Sequence, residues 1–220
     1  MTDPVLYSFR RCPYAIRARM ALTYANIHCE LREIWLRDKP GHMLEVSPKG
    51  TVPVLITTDG QVIDESLNVM LWALQQHDPH NWLDDLTPGM DWINRNDQQF
   101  KPLLDAYKYA DRYPEKSPEQ HRKFTLEYLN DLDNQLTTCK WLVSHQVTLA
   151  DIALMPFIRQ YALVDKRWFD QQPWPHLHKW LNRLLNSDWF TISMTKFKLF
   201  NDGNRYAFPT GLLISETSQD

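Results

Sequence analysis

The sequence predicts an α/β domain followed by an all-helical domain. Residues 4 to 76 alternate short apolar runs with helix-period segments, in the order βαβ and then ββα. An aperiodic stretch rich in Asp, Asn, His and Pro interrupts this pattern between Asp78 and Pro88, and beyond it apolar residues recur only at helical spacing. These observations divide the chain into an α/β domain at 1–77, a linker at 78–88, a helical domain at 89–205 and a flexible tail at 206–220.

The first strand is the mostly apolar run Val5-Leu6-Tyr7-Ser8-Phe9. A helix follows at once: Pro13 suits its first turn, where a missing N–H costs nothing, and Ala15, Ala18, Leu22 and Ala25 recur at spacings of three and four. Cys12 therefore lies at the cap of that helix. Ile27 to Ile34 alternates as a second strand, completing a parallel crossover. Trp35 to Ser47 reads as a loop with a short irregular helix. The Pro48-Lys49-Gly50 turn then leads into Thr51 to Ile56, and Asp59-Gly60 turns the chain back into Gln61-Val62-Ile63, a hairpin. Helix three begins near Asp64-Glu65-Ser66 and carries Leu67, Met70, Leu71 and Leu74.

The second half predicts helices near 88–111, 118–137 with Phe124, Tyr128, Leu132 and Leu136, 148–165, and 174–186 with Leu177, Leu181 and Leu184. Thr148-Leu149-Ala150-Asp151 has the form of a capping box, with Val147 placed to staple against Ile152. Pro156 lies two turns further on, where it is expected to bend the helix.

Composition narrows the function. The chain has 220 residues, enough for a core without staples, and its 43% hydrophobic fraction contains no run of eighteen apolar residues. No secretory signal opens the sequence, so a cytoplasmic location is expected. The net charge of -3 offers no basic footprint for nucleic acid. Cys12, Cys29 and Cys139 have neither CxxC nor Cys/His ligand spacing, which argues against a disulfide framework and a zinc site.

A cysteine at a helix N-terminus meets unpaired N–H groups and the positive end of the helix dipole, and both favour the thiolate. Arg10, Arg11 and Arg17 can add positive charge. Ala15 stands where a dithiol oxidoreductase holds its resolving cysteine, so a second thiol must come from solution. The plain alternative is that Cys12 is a small residue buried at a helix start; Cys29 and Cys139 read that way. Val52-Pro53 has two readings, an ordinary trans proline at a strand edge or a cis bond that turns the Val52 backbone toward an extended ligand. Asp64-Glu65-Ser66 either caps its helix or receives an amino-acid end.

Taken together, Cys12-Pro13-Tyr14-Ala15 with Arg17 and Arg19, Ser47 to Leu55, Glu65-Ser66, and Thr148 to Asp151 resemble the cytosolic glutathione transferase family, in its omega-like, cysteine-using class. The resemblance implies a thioredoxin-like domain joined to a helical one, with glutathione as cosubstrate. It assigns Cys12 to a mixed disulfide with glutathione and Val52, before a cis Pro53, to the tripeptide backbone. Glu65 and Ser66 take the γ-glutamyl end, Lys39 faces the glycyl carboxylate, and Tyr14 lines the site. A small-molecule or glutathionylated acceptor is implied, in a cleft to which Phe100, Tyr107 and Tyr109 are candidate walls and equally candidate core residues. A homodimer is implied, with no nucleic-acid or membrane partner. Two chemistries compete, thiol transfer through Cys12 and conjugation of glutathione to an electrophile with Tyr7 or Ser8 as hydroxyl donor; dehydroascorbate reduction is a further option. A binding protein of the same fold, resembling stringent starvation protein A, is the non-catalytic alternative.

Overall fold

The computed structural model describes residues 3–200 and 203–214. The chain divides into two compact units, Met1–His80 with Ser187–Asp220, and Asn81–Asn186.

The first unit is built on a six-stranded sheet. It contains β1 (Val5–Ser8), α1 (Pro13–Tyr24), β2 (Cys29–Glu33), α2 (Gly41–Val46), β3 (Val54–Ile56), β4 (Val62–Ile63) and α3 (Ser66–Gln76). After the helical unit the chain returns to add α11 (Asp188–Ser193), β5 (Tyr206–Phe208) and β6 (Leu212–Leu213). The strand order is β4-β3-β1-β2-β5-β6, with β1 parallel to β2 and every other pairing antiparallel. Leu6 sits opposite both Leu31 and Leu55, and all three are fully buried. Burying such a row stabilises the sheet by about 1.5–3 kcal/mol per side chain.

Just past the end of α1 and its C-cap Ala25, Asn26 takes a left-handed φ of 52° while Ile27 N–H reaches back to Leu22 O at 2.9 Å. Asn tolerates that conformation better than most residues, so the turn into β2 is tight. The sequence predicts one apolar stripe on α1, but the structure buries the helix on nearly every side, Arg17 and Arg19 included. The reason is the returning chain: α1 packs against both α3 and α11. On α3 the buried set is Ser66, Val69, Met70, Ala73 and Leu74, so the expected stripe is rotated, and Leu67 and Leu71 are only half-buried.

The predicted boundaries therefore change at the C-terminal end. The sequence places residues 187–205 in the helical domain and 206–220 in a flexible tail, whereas α11 packs in the first unit and β5 and β6, within 206–213, join its sheet. Tyr206-Ala207-Phe208 and Leu212-Leu213 are short apolar runs on either side of a turn, and β5 gains its order from pairing with β2, where Cys29 faces the fully buried Phe208. Residues 215–220 of the expected tail lie outside the described residues.

The second unit is helical throughout: α4 (Leu86–Arg95), α5 (Lys101–Lys108), α6 (Pro118–Lys123), α7 (Leu126–Thr138), α8 (Leu149–Ala162), α9 (Lys166–Asp170) and α10 (Pro175–Leu185). A single π turn at Asn96–Phe100 joins α4 to α5 without leaving helical geometry. The helix expected over 118–137 is two helices, broken at Phe124 and Thr125, and Phe124 is 53% exposed instead of lying on the buried stripe. The linker is more ordered than its composition suggests, since Trp82 is fully buried and its carbonyl accepts Leu149 N–H at 2.8 Å.

Helix α8 is the centre of this unit, and it runs on through Pro156. Its capping residue Asp151 is fully buried and meets four donors: Thr148 N at 2.9 Å, Thr148 Oγ1 at 3.1 Å, Leu142 N at 3.0 Å and Trp180 Nε1 at 2.7 Å. Burial pushes the carboxyl pKa up, and the four donors pull it back only in part. No helix among the described residues is long and apolar enough to cross a membrane.

Candidate functional site

The first unit gathers most of the predicted site residues around the junction of β1 and α1. Cys12 is the N-cap residue of α1 in extended conformation, Pro13 follows in the first turn, and Cys12 O accepts Ile16 N–H at 3.0 Å. The turn before it closes through Cys12 N–H to Phe9 O at 2.9 Å. Cys12 is half-buried, and its Sγ lies 3.8 Å from Val52 O, a long sulfur hydrogen bond across 40 residues. Tyr7, Ala15, Ile34, Met43, Val52 and Val54 form the apolar floor beneath it.

The Val52-Pro53 bond is cis. Val52 is 6% exposed, and its N–H has no protein acceptor among the described residues. A Cβ added at Gly50, whose φ is +61°, would lie 3.5 Å from Lys39 Nζ, so the Lys39 side chain lies against the turn that leads into Val52. Only a residue at ease with positive φ fits there.

Helix α3 begins beside this segment. Glu65 is its N-cap residue, but its side chain does not cap the helix; it pairs instead with Lys49, and both side chains stay about half exposed. Ser66, 4% exposed, follows in the first turn. Ser47 Oγ donates to Asp64 Oδ2 at 3.3 Å, which ties the Pro48 turn to the start of α3. The simple capping role is thus not the one Glu65 plays. The result is a helix N-terminus with a serine beside a carboxylate, a setting that suits a group bearing both charges.

Other expectations need amendment. Arg17 is fully buried with its guanidinium 5.6 Å from the centre of the Tyr14 ring, so it stacks under Tyr14 and is no surface charge beside the thiol. Tyr14 itself is half-buried. Arg11 is exposed and Arg10 half-buried. Tyr7, fully buried, accepts from Arg32 Nη1 at 2.6 Å and shares a hydrogen bond of 2.9 Å with His42 Nδ1. Burial raises its hydroxyl pKa, with Arg32 opposing. Ser8 Oγ accepts Arg19 Nε–H at 2.7 Å. Both hydroxyls offered for conjugation chemistry are thus engaged within the protein.

Cys29 is 1% exposed, and burial pushes its thiol up to about 12. Phe100 is fully buried and stacks on Tyr128 with ring centroids 4.4 Å apart, while Tyr107, 4% exposed, packs on Tyr161; both belong to the core of the helical unit. Sequence reasoning overlooked Lys49, Glu33 and His42. Lys49 alone left a signal, its place in the Pro48-Lys49-Gly50 turn; Glu33 and His42 acquire partners only through tertiary contacts with Arg10 and Tyr7. No group of His, Cys, Asp and Glu among the described residues has metal-binding geometry.

Comparison with known proteins agrees with the two-unit fold. Residues 6–81 match the model of the glutathione S-transferase N-terminal domain and residues 96–188 that of its C-terminal domain. Glutathione S-transferase omega-1 of Rattus norvegicus is 44% identical over 62 residues, 28% of this chain and 26% of that protein. Glutathione S-transferase omega-2 of Homo sapiens is 37% identical over 84 residues, 38% of this chain and 30% of that protein. The matched segment thus spans about a quarter to a third of the length of these curated relatives. Glutathione transferase Omega 3C of Trametes versicolor has the same fold, with a TM-score of 0.75 over 91% of this chain and 92% of that one at 23% identity. With both domain models matched in order along most of its length, the chain belongs to the glutathione S-transferase family, and its matched segment is similar to omega-class members.

Proposed function

We propose that this protein is a glutathione-dependent thiol transferase whose nucleophile is Cys12. The observation that carries the reading is the seat of the Cys12 sulfur, at a helix N-terminus and 3.8 Å from the carbonyl of Val52, whose own N–H is left for a ligand. A glutathione backbone that pairs with Val52 brings its sulfur to Cys12. Glu65 receives the γ-glutamyl ammonium, Ser66 and the N-terminus of α3 its carboxylate, and Lys39 the glycyl carboxylate.

The reaction then needs two exchanges. The Cys12 thiolate attacks the glutathionyl sulfur of a mixed disulfide, forming a Cys12–glutathione disulfide and releasing the other thiolate, which takes a proton from solvent. A second glutathione thiolate attacks the glutathionyl sulfur, forming glutathione disulfide and returning the Cys12 thiolate. Ala15 offers no thiol to intercept the intermediate, and Cys29 is sealed in the sheet. Conjugation of an electrophile fits less well, because Tyr7 and Ser8 have their hydroxyls engaged by Arg32, His42 and Arg19.

Exposure to glutathione disulfide followed by peptide mass spectrometry tests the assignment. The adduct is expected on Cys12; labelling of Cys29 or Cys139 in its place would remove Cys12 from the mechanism. Cys12→Ser should abolish turnover of a glutathionyl mixed disulfide while glutathione still binds.

A further inference from the structure

We propose that Glu33 is a positioning residue for Cys12, acting through the backbone N–H of Arg10. The inference rests on the reading of Cys12 as the attacking sulfur.

Glu33 ends β2 and is 5% exposed. Its Oε1 accepts Arg10 N–H at 2.8 Å, and its Oε2 is paired with Arg19. Arg19 is fully buried and directs two further donors to the same region, Nε–H to Ser8 Oγ at 2.7 Å and Nη1–H to Ser193 O at 3.1 Å. The guanidinium therefore binds the end of β1, the carboxylate on β2 and the end of α11 at once. For residues 9–11, the Glu33 contact is the single hydrogen bond from outside the turn to their backbone among the described residues. The turn also closes on itself through Cys12 N–H to Phe9 O at 2.9 Å, and the Phe9 side chain packs against the apolar floor.

A buried ion pair of this kind is a poor source of stability, because well-packed apolar residues of the same volume serve the fold as well or better. Its value here lies in the acceptor it presents. Proline at 13 already fixes the helical side of Cys12, so a hydrogen bond at Arg10 fixes the strand side, and the two together hold Sγ opposite Val52 O. The anchor needs an oxygen at Glu33 Oε1 and not a charge, which separates it from an electrostatic effect on the thiol.

Two double variants of the full chain divide these roles. Arg19→Met with Glu33→Gln removes both charges and keeps an acceptor for Arg10 N–H; Arg19→Met with Glu33→Met removes the acceptor as well. Melting temperature, the pH dependence of Cys12 alkylation by iodoacetamide, and kcat and KM for a glutathionyl mixed disulfide are measured on both. Relative to the second variant, the Gln variant should rescue alkylation and kcat by about tenfold, on the scale by which small misplacements of a reacting group act. KM should match between the two, since Val52, Glu65 and Ser66 are untouched, and the melting temperature establishes that both variants are folded at the assay temperature. Equal alkylation rates in the two variants would overturn the proposal. Should the Met pair fail to fold, Arg10→Pro, which deletes the donor itself, is compared with Arg10→Ala, which keeps it; the same tenfold difference is expected, and equal rates overturn the proposal again. Alkylation reads the sulfur directly, so loss of the functional reading, seen as full turnover by Cys12→Ser, is a separate result.

Discussion

Asp151→Ala should destabilise the helical unit by about 3–5 kcal/mol, the range for breaking a buried polar network. The magnitude follows from the donors around the carboxylate. Thr148 Oγ1 can rotate to another partner, but the N–H groups of Thr148 and Leu142 and the indole N–H of Trp180 cannot, and all three point into a site with no solvent. Each buried donor left without an acceptor costs about 1–3 kcal/mol, and relief of the burial penalty on the carboxylate returns part of the sum. Asp151→Asn keeps the shape and one oxygen but turns an NH₂ toward one of these donors, so its cost should be about 1–2 kcal/mol. The assay is urea unfolding followed by tryptophan fluorescence, comparing midpoints at unchanged slope. An alanine variant within 1 kcal/mol of the parent, or an asparagine variant as damaging as alanine, would refute the network argument.

Cys29 should resist iodoacetamide in the folded protein at pH 8 and react fully in urea, as read by peptide mass spectrometry. Its pH linkage has a definite sign: the folded thiol holds its proton up to about 12 against an ordinary 9.0, so its contribution to stability is complete below 9 and is lost as pH rises toward 12. Cys29→Ala should accordingly flatten the fall of the urea midpoint above pH 9, by up to about 1.4 kcal/mol per pH unit. Tyr7→Phe should keep thiol transfer within about threefold while lowering stability by about 1–2 kcal/mol, the loss of its bonds to Arg32 and His42. A loss of about 100-fold or more in turnover would instead restore a hydroxyl-assisted mechanism. Glu65→Gln should raise the KM for glutathione about tenfold through one weakened charged contact, yet change stability by less than about 1 kcal/mol, because the pair with Lys49 is half exposed.

Local chemistry explains why so much of the site is readable in the chain. Pro13 after Cys12, the glycine at 50 and the Thr148–Asp151 box each fix backbone within a few residues, so their geometry needs nothing distant. The βαβ and ββα order follows in the same way from short apolar runs and turn residues. These features set the fold class, place the cysteine at its helix cap, and deny it an intramolecular partner.

Contacts between distant segments settled the rest. The cis bond before Pro53, the pairing of Glu65 with Lys49 and the burial of Arg17 depend on neighbours that no periodicity reveals. The short runs Tyr206–Phe208 and Leu212–Leu213 join the sheet because β2 presents an edge to the first of them, and α11 returns because α1 has a second side to bury. Glu33 reads in sequence as one more charge in an alternating strand. Its carboxylate meets Arg10 N–H and Arg19 only when β1, β2 and α1 are brought together, since a hydrogen bond has a reach of some 3 Å and the residues that supply it are far apart along the chain.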